Sequence, residues 1–139
     1  MELHTFTEKM SNAEIKKHIM ELQALLPQRN VIGYLAAYNT RVLSNAISEF
    51  AMFEQEAISK YGEKDLDESG NPTGAMSIKI GSEKYNEFIK EMTPYLNIVQ
   101  EVQIAKADYQ DVIGILSGEE ILSVEWMLKD DGGETLWPR

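Results

Sequence analysis

The chain has 139 residues, 23 acidic against 13 basic side chains for a net charge of −10, and no cysteine. That length reads as one domain with room for a core. The charge argues against direct nucleic-acid binding, which needs clustered Lys and Arg, and the missing thiols exclude a disulfide framework and any thiolate nucleophile or metal ligand.

No apolar run approaches the roughly 18 residues of a membrane span, so no membrane association is expected. Met1-Glu2-Leu3-His4 lacks the basic start of a signal peptide, and a cytoplasmic location is the expectation. Acids and bases balance over residues 1–50: Glu2, Glu8, Glu14, Glu21 and Glu49 against Lys9, Lys16, Lys17, Arg29 and Arg41. The acidic excess therefore lies in 51–139. It permits a basic partner or mimicry of nucleic acid, beside plain solubility.

Residues 2–9 read as a short arm or edge strand. Ser11-Asn-Ala-Glu14 is a capping box that opens a helix over about 12–26, with Ile15, Ile19, Leu22 and Leu26 on one face and Pro27 as its stop. From Val31 to Tyr61 apolar residues fall at 31, 35, 38, 42, 46, 50, 53, 57 and 61, one face of an uninterrupted helix widened by Tyr34, Leu43, Ile47 and Ile58. Gly33 sits near its start, and Gly62 stands where a left-handed cap is expected. Such a rod is about 46 Å long, against roughly 30 Å for a compact domain of this size.

Residues 63–74 are an acidic, turn-rich stretch. Met76, Ile78 and Ile80 alternate in a strand over 75–80. Gly81-Ser82 caps a helix from Glu83 to about Met92, which Pro94 ends or kinks. A second strand over 99–105 is expected to pair with 75–80. Tyr109 to Leu116 reads as a short helix. Ser117-Gly118-Glu119-Glu120, a second capping box, starts a last helix through Leu128. Residues 129–139 read as a flexible acidic tail after a single domain over 1–128. The expected fold is mainly α with a small β element: a long central helix in a helical hairpin, a two-stranded ribbon, and two to three shorter helices.

Little in the chain carries chemistry. Asp65-x-Asp67-x-Ser69-Gly70 matches the first half of a calcium loop, but Pro72 and Met76 stand at its eighth and twelfth positions, where an aliphatic residue and a bidentate Glu are needed. His4 and His18 share no ligand spacing, and no nucleophile elbow, dinucleotide loop or P-loop is present. No catalytic residue, metal or cofactor is expected, and the chain does not read as an enzyme. Trp126 is expected in the core and Trp137 exposed in the tail.

The strongest functional hint is a shortage of charge. Between Glu21 and Glu49 the only charged residues are Arg29 and Arg41. A face this poor in charge is covered either by other elements or by a partner. Tyr34, Tyr38, Arg41 and Asn45, at i, i+4, i+7 and i+11, form one stripe of it and are the candidate partner-binding residues, with a homo-oligomer as one form of that partner.

Three stretches carry a resemblance. They are Lys60-Tyr61-Gly62-Glu63-Lys64-Asp65 running into Asp67-Glu68-Ser69-Gly70-Asn71-Pro72, then Lys84-Tyr85-Asn86-Glu87-Phe88, then Leu116-Ser117-Gly118-Glu119-Glu120-Ile121 with Glu125-Trp126-Met127-Leu128. Over about residues 30–128 the chain resembles small phage and prophage proteins of unknown function, although Pro94 departs from the uninterrupted helix of that pattern. The resemblance implies a phage gene acting in the host cytoplasm and assigns no functional residue. The expected function is a non-catalytic accessory protein that binds and modulates a host or defence protein. A tail- or capsid-assembly factor and an acidic nucleic-acid mimic are the alternatives.

Overall fold

A computed structural model of the chain describes residues 3–129. It is α+β, mainly helical, with two small antiparallel two-stranded sheets. The described chain divides into two compact units. Residues 47–98 form one, inserted between the two stretches that build the other.

The first unit contains β1 (Thr5–Ser11), α1 (Asn12–Gln23), α2 (Val31–Ala46), β4 (Val99–Ala105), α5 (Tyr109–Val112), α6 (Gly118–Ser123) and a short 3₁₀ turn, Glu125–Met127. The capping box of Ser11 and Glu14 forms as expected, each side chain taking the other residue's backbone N–H at 3.1 Å. So does the box of Ser117 and Glu120. These signals depend only on residues three apart, so local sequence suffices to read them.

The strand pairing departs from expectation. β4 pairs with β1, Thr5 facing Ala105 and Ser11 facing Val99. It does not pair with 75–80. That segment contributes instead to β3 (Pro72–Ser77), which folds back on β2 (Glu63–Leu66) through the Asp67–Asn71 turn. A five-residue closure costs far less chain entropy than bringing 75–80 to 99–105.

Helix α2 lies on β4, and α1 packs on α2. The core between them holds Ile15, Leu22, Ile32, Leu35, Leu43, Val102, Ile104 and Met127. At its centre is a polar residue. Lys106 N–H bonds to the His4 carbonyl, so Ala105, one residue earlier, turns its own amide away from β1. Asn39 meets it there: Nδ2 donates to the Ala105 carbonyl at 2.9 Å, and Oδ1 accepts from the Ala105 N–H at 2.7 Å. Both residues are fully buried. Gln100 adds a second tie, its Nε2 donating to Asn12 Oδ1 at 2.7 Å and to the Ala46 carbonyl at 2.9 Å.

The expected single rod is two helices. α2 ends at Ala46, Ile47 leaves helical geometry at φ −103° and ψ 15°, and α3 runs from Ser48 to Tyr61. Neither Gly nor Pro marks the break. The Ala46 carbonyl is held by the Gln100 amide, a long-range contact that helix periodicity does not encode. Gly62 ends α3 in extended geometry at φ −84°, not in the left-handed cap expected. A Cβ there would stand 2.4 Å from the Ile58 carbonyl oxygen, so close approach requires the glycine.

The second unit contains α3, β2, β3 and α4 (Glu83–Leu96). Ser82 caps α4 as expected, its Oγ accepting the Tyr85 N–H at 3.1 Å. The helix runs through Pro94 instead of stopping there. The proline stands in the last turn, two residues before the end at Leu96, and its missing N–H removes one bond to the preceding turn. The core of this unit is small: Phe50, Ala57 and Met92, with Ile47, Phe88 and Leu96 against it.

At the C-terminal side, α6 stops at Ser123 and the 3₁₀ turn replaces the rest of the expected last helix. Lys129 is fixed to the body by its N–H to the Ala107 carbonyl at 2.8 Å, so it is not part of a free tail. The expected flexible tail from 130 on, with Trp137, lies outside the described residues. Among the described residues no helix is long and apolar enough to cross a membrane.

Candidate protein-interaction surfaces

The charge-poor helix α2 starts at an asparagine. Asn30 Oδ1 accepts the N–H groups of Ile32 at 3.1 Å and Gly33 at 3.2 Å, the work of an N-cap. Gly33 is required by packing: a Cβ would stand 1.9 Å from the Gln28 carbonyl oxygen. The helix buries Ile32, Leu35, Ala36, Asn39 and Leu43. This stripe is rotated from the expected one, which placed Val31, Tyr38 and Val42 inward and Tyr34 beside them. A buried asparagine at its centre hides the rotation from any reading of apolar spacing.

The rotation decides where the candidate residues stand. Tyr34 is 55% exposed, Arg41 and Asn45 are exposed, and Tyr38 is half-buried at the margin. Ala37 and Ser44 lie exposed between them. The four candidates share one face, and described elements leave most of it uncovered. Among the described residues no carboxylate pairs with Arg41.

The second unit presents a surface of another kind. Its three-residue core leaves many apolar side chains outside: Met52, Phe53, Leu66, Ile80, Tyr95 and Ile98 are all exposed, Ile80 by 80%. Every residue of β3 is exposed. Beside the seam of α3 and α4 the rings of Phe53 and Tyr95 stack with centroids 5.4 Å apart. They border a cleft of about 170 Å³ completed by Glu56, Ala57, Lys60, Glu91 and Met92. Lys60 Nζ reaches Glu91 Oε1 at 3.3 Å across the seam and lies over the Tyr61 ring at 4.9 Å. Contact with Tyr61 and then Glu91 holds its ammonium above the ordinary lysine value. This surface was missed in the sequence because Phe53 falls on the periodic apolar face of α3. Only the scarcity of apolar residues in 62–75 hinted that nothing in the unit would cover it.

The calcium-loop residues build the hairpin. Asp67 Oδ1 accepts the N–H groups of Ser69 and Asn71, each at 2.9 Å, and the Asp65 carboxylate accepts the Ser77 hydroxyl. Gly70, at φ 84°, completes the turn. Among the described residues no three metal-ligating side chains gather. His18 Nδ1 bonds Glu21 Oε1 at 2.6 Å, and its ring stacks on that of Trp126 at 4.2 Å. Trp126, expected in the core, is only half-buried, at the edge of the core against this histidine. His4 borders a second cleft of about 160 Å³ with Lys106, Asp108, Asp111 and Lys129. Three of its charges are paired, Lys106 with Glu8 at 2.6 Å and Lys129 with Asp108 at 3.6 Å.

Comparison of the chain with protein-family models, with curated proteins and with solved structures finds no match.

Proposed function

We propose that this is a non-catalytic accessory protein that acts by binding another protein, in the host cytoplasm and in the phage setting that the sequence resemblance implies. The observation that carries the reading is the second unit. Fifty-two residues bury three apolar side chains fully and leave at least twice that number in solvent. Among them Phe53 and Tyr95 adjoin, their rings stacked beside the cleft, and adjoining apolar surface is what interaction sites in soluble proteins expose. This exposed pair is of the aromatic type that anchors interfaces. The partner is a host or defence protein with apolar and basic character, since residues 47–98 hold ten acids and five bases.

The test is affinity capture from a lysate of phage-infected host cells on the immobilised protein, beside a Phe53→Glu, Ile98→Glu variant. Both positions are exposed, so the variant keeps the wild-type circular dichroism. A host protein retained by the wild type and lost by the variant is the expected outcome. Recovery of phage structural proteins instead would favour the assembly-factor reading. Equal retention by both chains would overturn the assignment of the surface.

A further inference from the structure

We propose that two copies of the chain associate through the outer face of α2, antiparallel about a two-fold axis passing between Ala37 and Tyr38. The inference is independent of the partner proposed for the second unit.

The first argument is charge. Two chains of net charge −10 repel. The face of least repulsion is α2, which has no acid and one base, Arg41, over Val31–Ala46. Its outer stripe is exposed and uncharged apart from that arginine.

The second argument is self-complementarity. A two-fold interface sets residue i against j and j against i. Antiparallel pairing about position 37.5 sets Arg41 of one copy against Tyr34 of the other, twice. Each guanidinium then meets the face of an exposed tyrosine ring, a cation–π contact for an arginine that pairs with no carboxylate among the described residues. Arg29, exposed just before the helix, falls opposite Ala46, at the end of the other helix where the macrodipole favours a cation. Tyr38 meets Ala37, and the small side chain lets the backbones approach. A parallel arrangement would set Arg41 against Arg41.

The size of the face sets the strength. The sixteen residues of α2 give a helix about 24 Å long and 10 Å wide, roughly 240 Å² a side, which is below the size of stable specific interfaces and in the range of weak, transient ones. The dimer is therefore one that dissociates on dilution.

The absence of cysteine makes the test clean. Helices packed 8–10 Å apart bring facing Cα atoms within disulfide reach only near the axis. Ala37→Cys should cross-link to a dimer under mild oxidation. Ser44→Cys, about 20 Å from its mate in this arrangement, should cross-link no faster than Gln23→Cys, an exposed control on α1. Adding Arg41→Glu or Tyr34→Ala to Ala37→Cys should slow cross-linking at least tenfold while circular dichroism stays unchanged. Light scattering of the wild type should show mass rising towards that of two chains with concentration, and the Arg41→Glu chain should remain monomeric. Cross-linking of Ser44→Cys as fast as Ala37→Cys would mean a parallel pair and overturn the geometry. A wild type that stays monomeric at millimolar concentration, with Ala37→Cys no faster than the control, would overturn the dimer.

Discussion

Asn39 ties α2 to the sheet by satisfying both backbone groups that Ala105 turns away from β1. Replacing it by alanine leaves a buried N–H and a buried carbonyl without partners. At about 1–3 kcal/mol for each such group, Asn39→Ala should destabilise the protein by about 3 kcal/mol in urea denaturation. A loss below about 1 kcal/mol would mean that the clamp is not formed in solution. Gly33 gives an opposite sign to the usual rule. Gly→Ala inside a helix ordinarily gains about 1 kcal/mol. Here the added Cβ meets the Gln28 carbonyl oxygen at 1.9 Å, so Gly33→Ala should lower the melting temperature. Ser11 and Glu14 carry a pH-dependent share. The Ser11 N–H, and then its hydroxyl, hold the Glu14 carboxyl below its ordinary value. A depressed folded-state pKa stabilises above the unfolded value, and that part disappears as pH falls through the folded one. Ser11→Ala should cost about 1 kcal/mol at neutral pH, with the difference from wild type shrinking in acid below the carboxylate range.

Among the elements, the last short turn is stitched on more firmly than its composition suggests. Met127 and Leu128 are buried, and Ala107 exchanges backbone bonds with Met127 and Lys129. A chain ended after Lys129 should keep its melting temperature within a few degrees. One ended after Val124 should not fold, since each lost core side chain is worth about 2–5 kcal/mol. Scanning calorimetry on the two chains compares them directly. The same elements show what local sequence can carry. The caps at Ser11, Ser82 and Ser117 were legible because each is a contact three residues long. The choice of β1 as the mate of β4 was not, because Thr5 and Ala105 are a hundred positions apart and both strands alternate acceptably. The break at Ile47 was not, because Gln100 supplies its reason from across the fold. The stripe of Tyr34, Tyr38, Arg41 and Asn45 was read from spacing alone. Its exposure depended on Asn39 turning inward, which no apolar pattern announces.

At the scale of the molecule the two units are unequal. The first buries most of the core; the second rests on Phe50, Ala57 and Met92. Free energies of local opening follow buried apolar contact, so amide hydrogens in 47–98 should exchange faster than those of α2 and β4. Mass spectrometry of peptides from the exchanged protein measures this, and equal protection in both units would show that the second is covered in solution. The bond from Gln100 to the Ala46 carbonyl has a consequence for how the chain can be rebuilt. It brings the exit from α2 and the entry to β4 side by side, so for the first unit everything from 47 to 98 is one long loop between adjoining anchors. Closing a loop costs chain entropy that grows only with the logarithm of its length. Exchanging these 52 residues for about six of glycine and serine should therefore recover about 2 kcal/mol. The shortened protein would remain folded with its α2 face intact, a minimal scaffold from which the second unit can be omitted or into which a different module can be spliced.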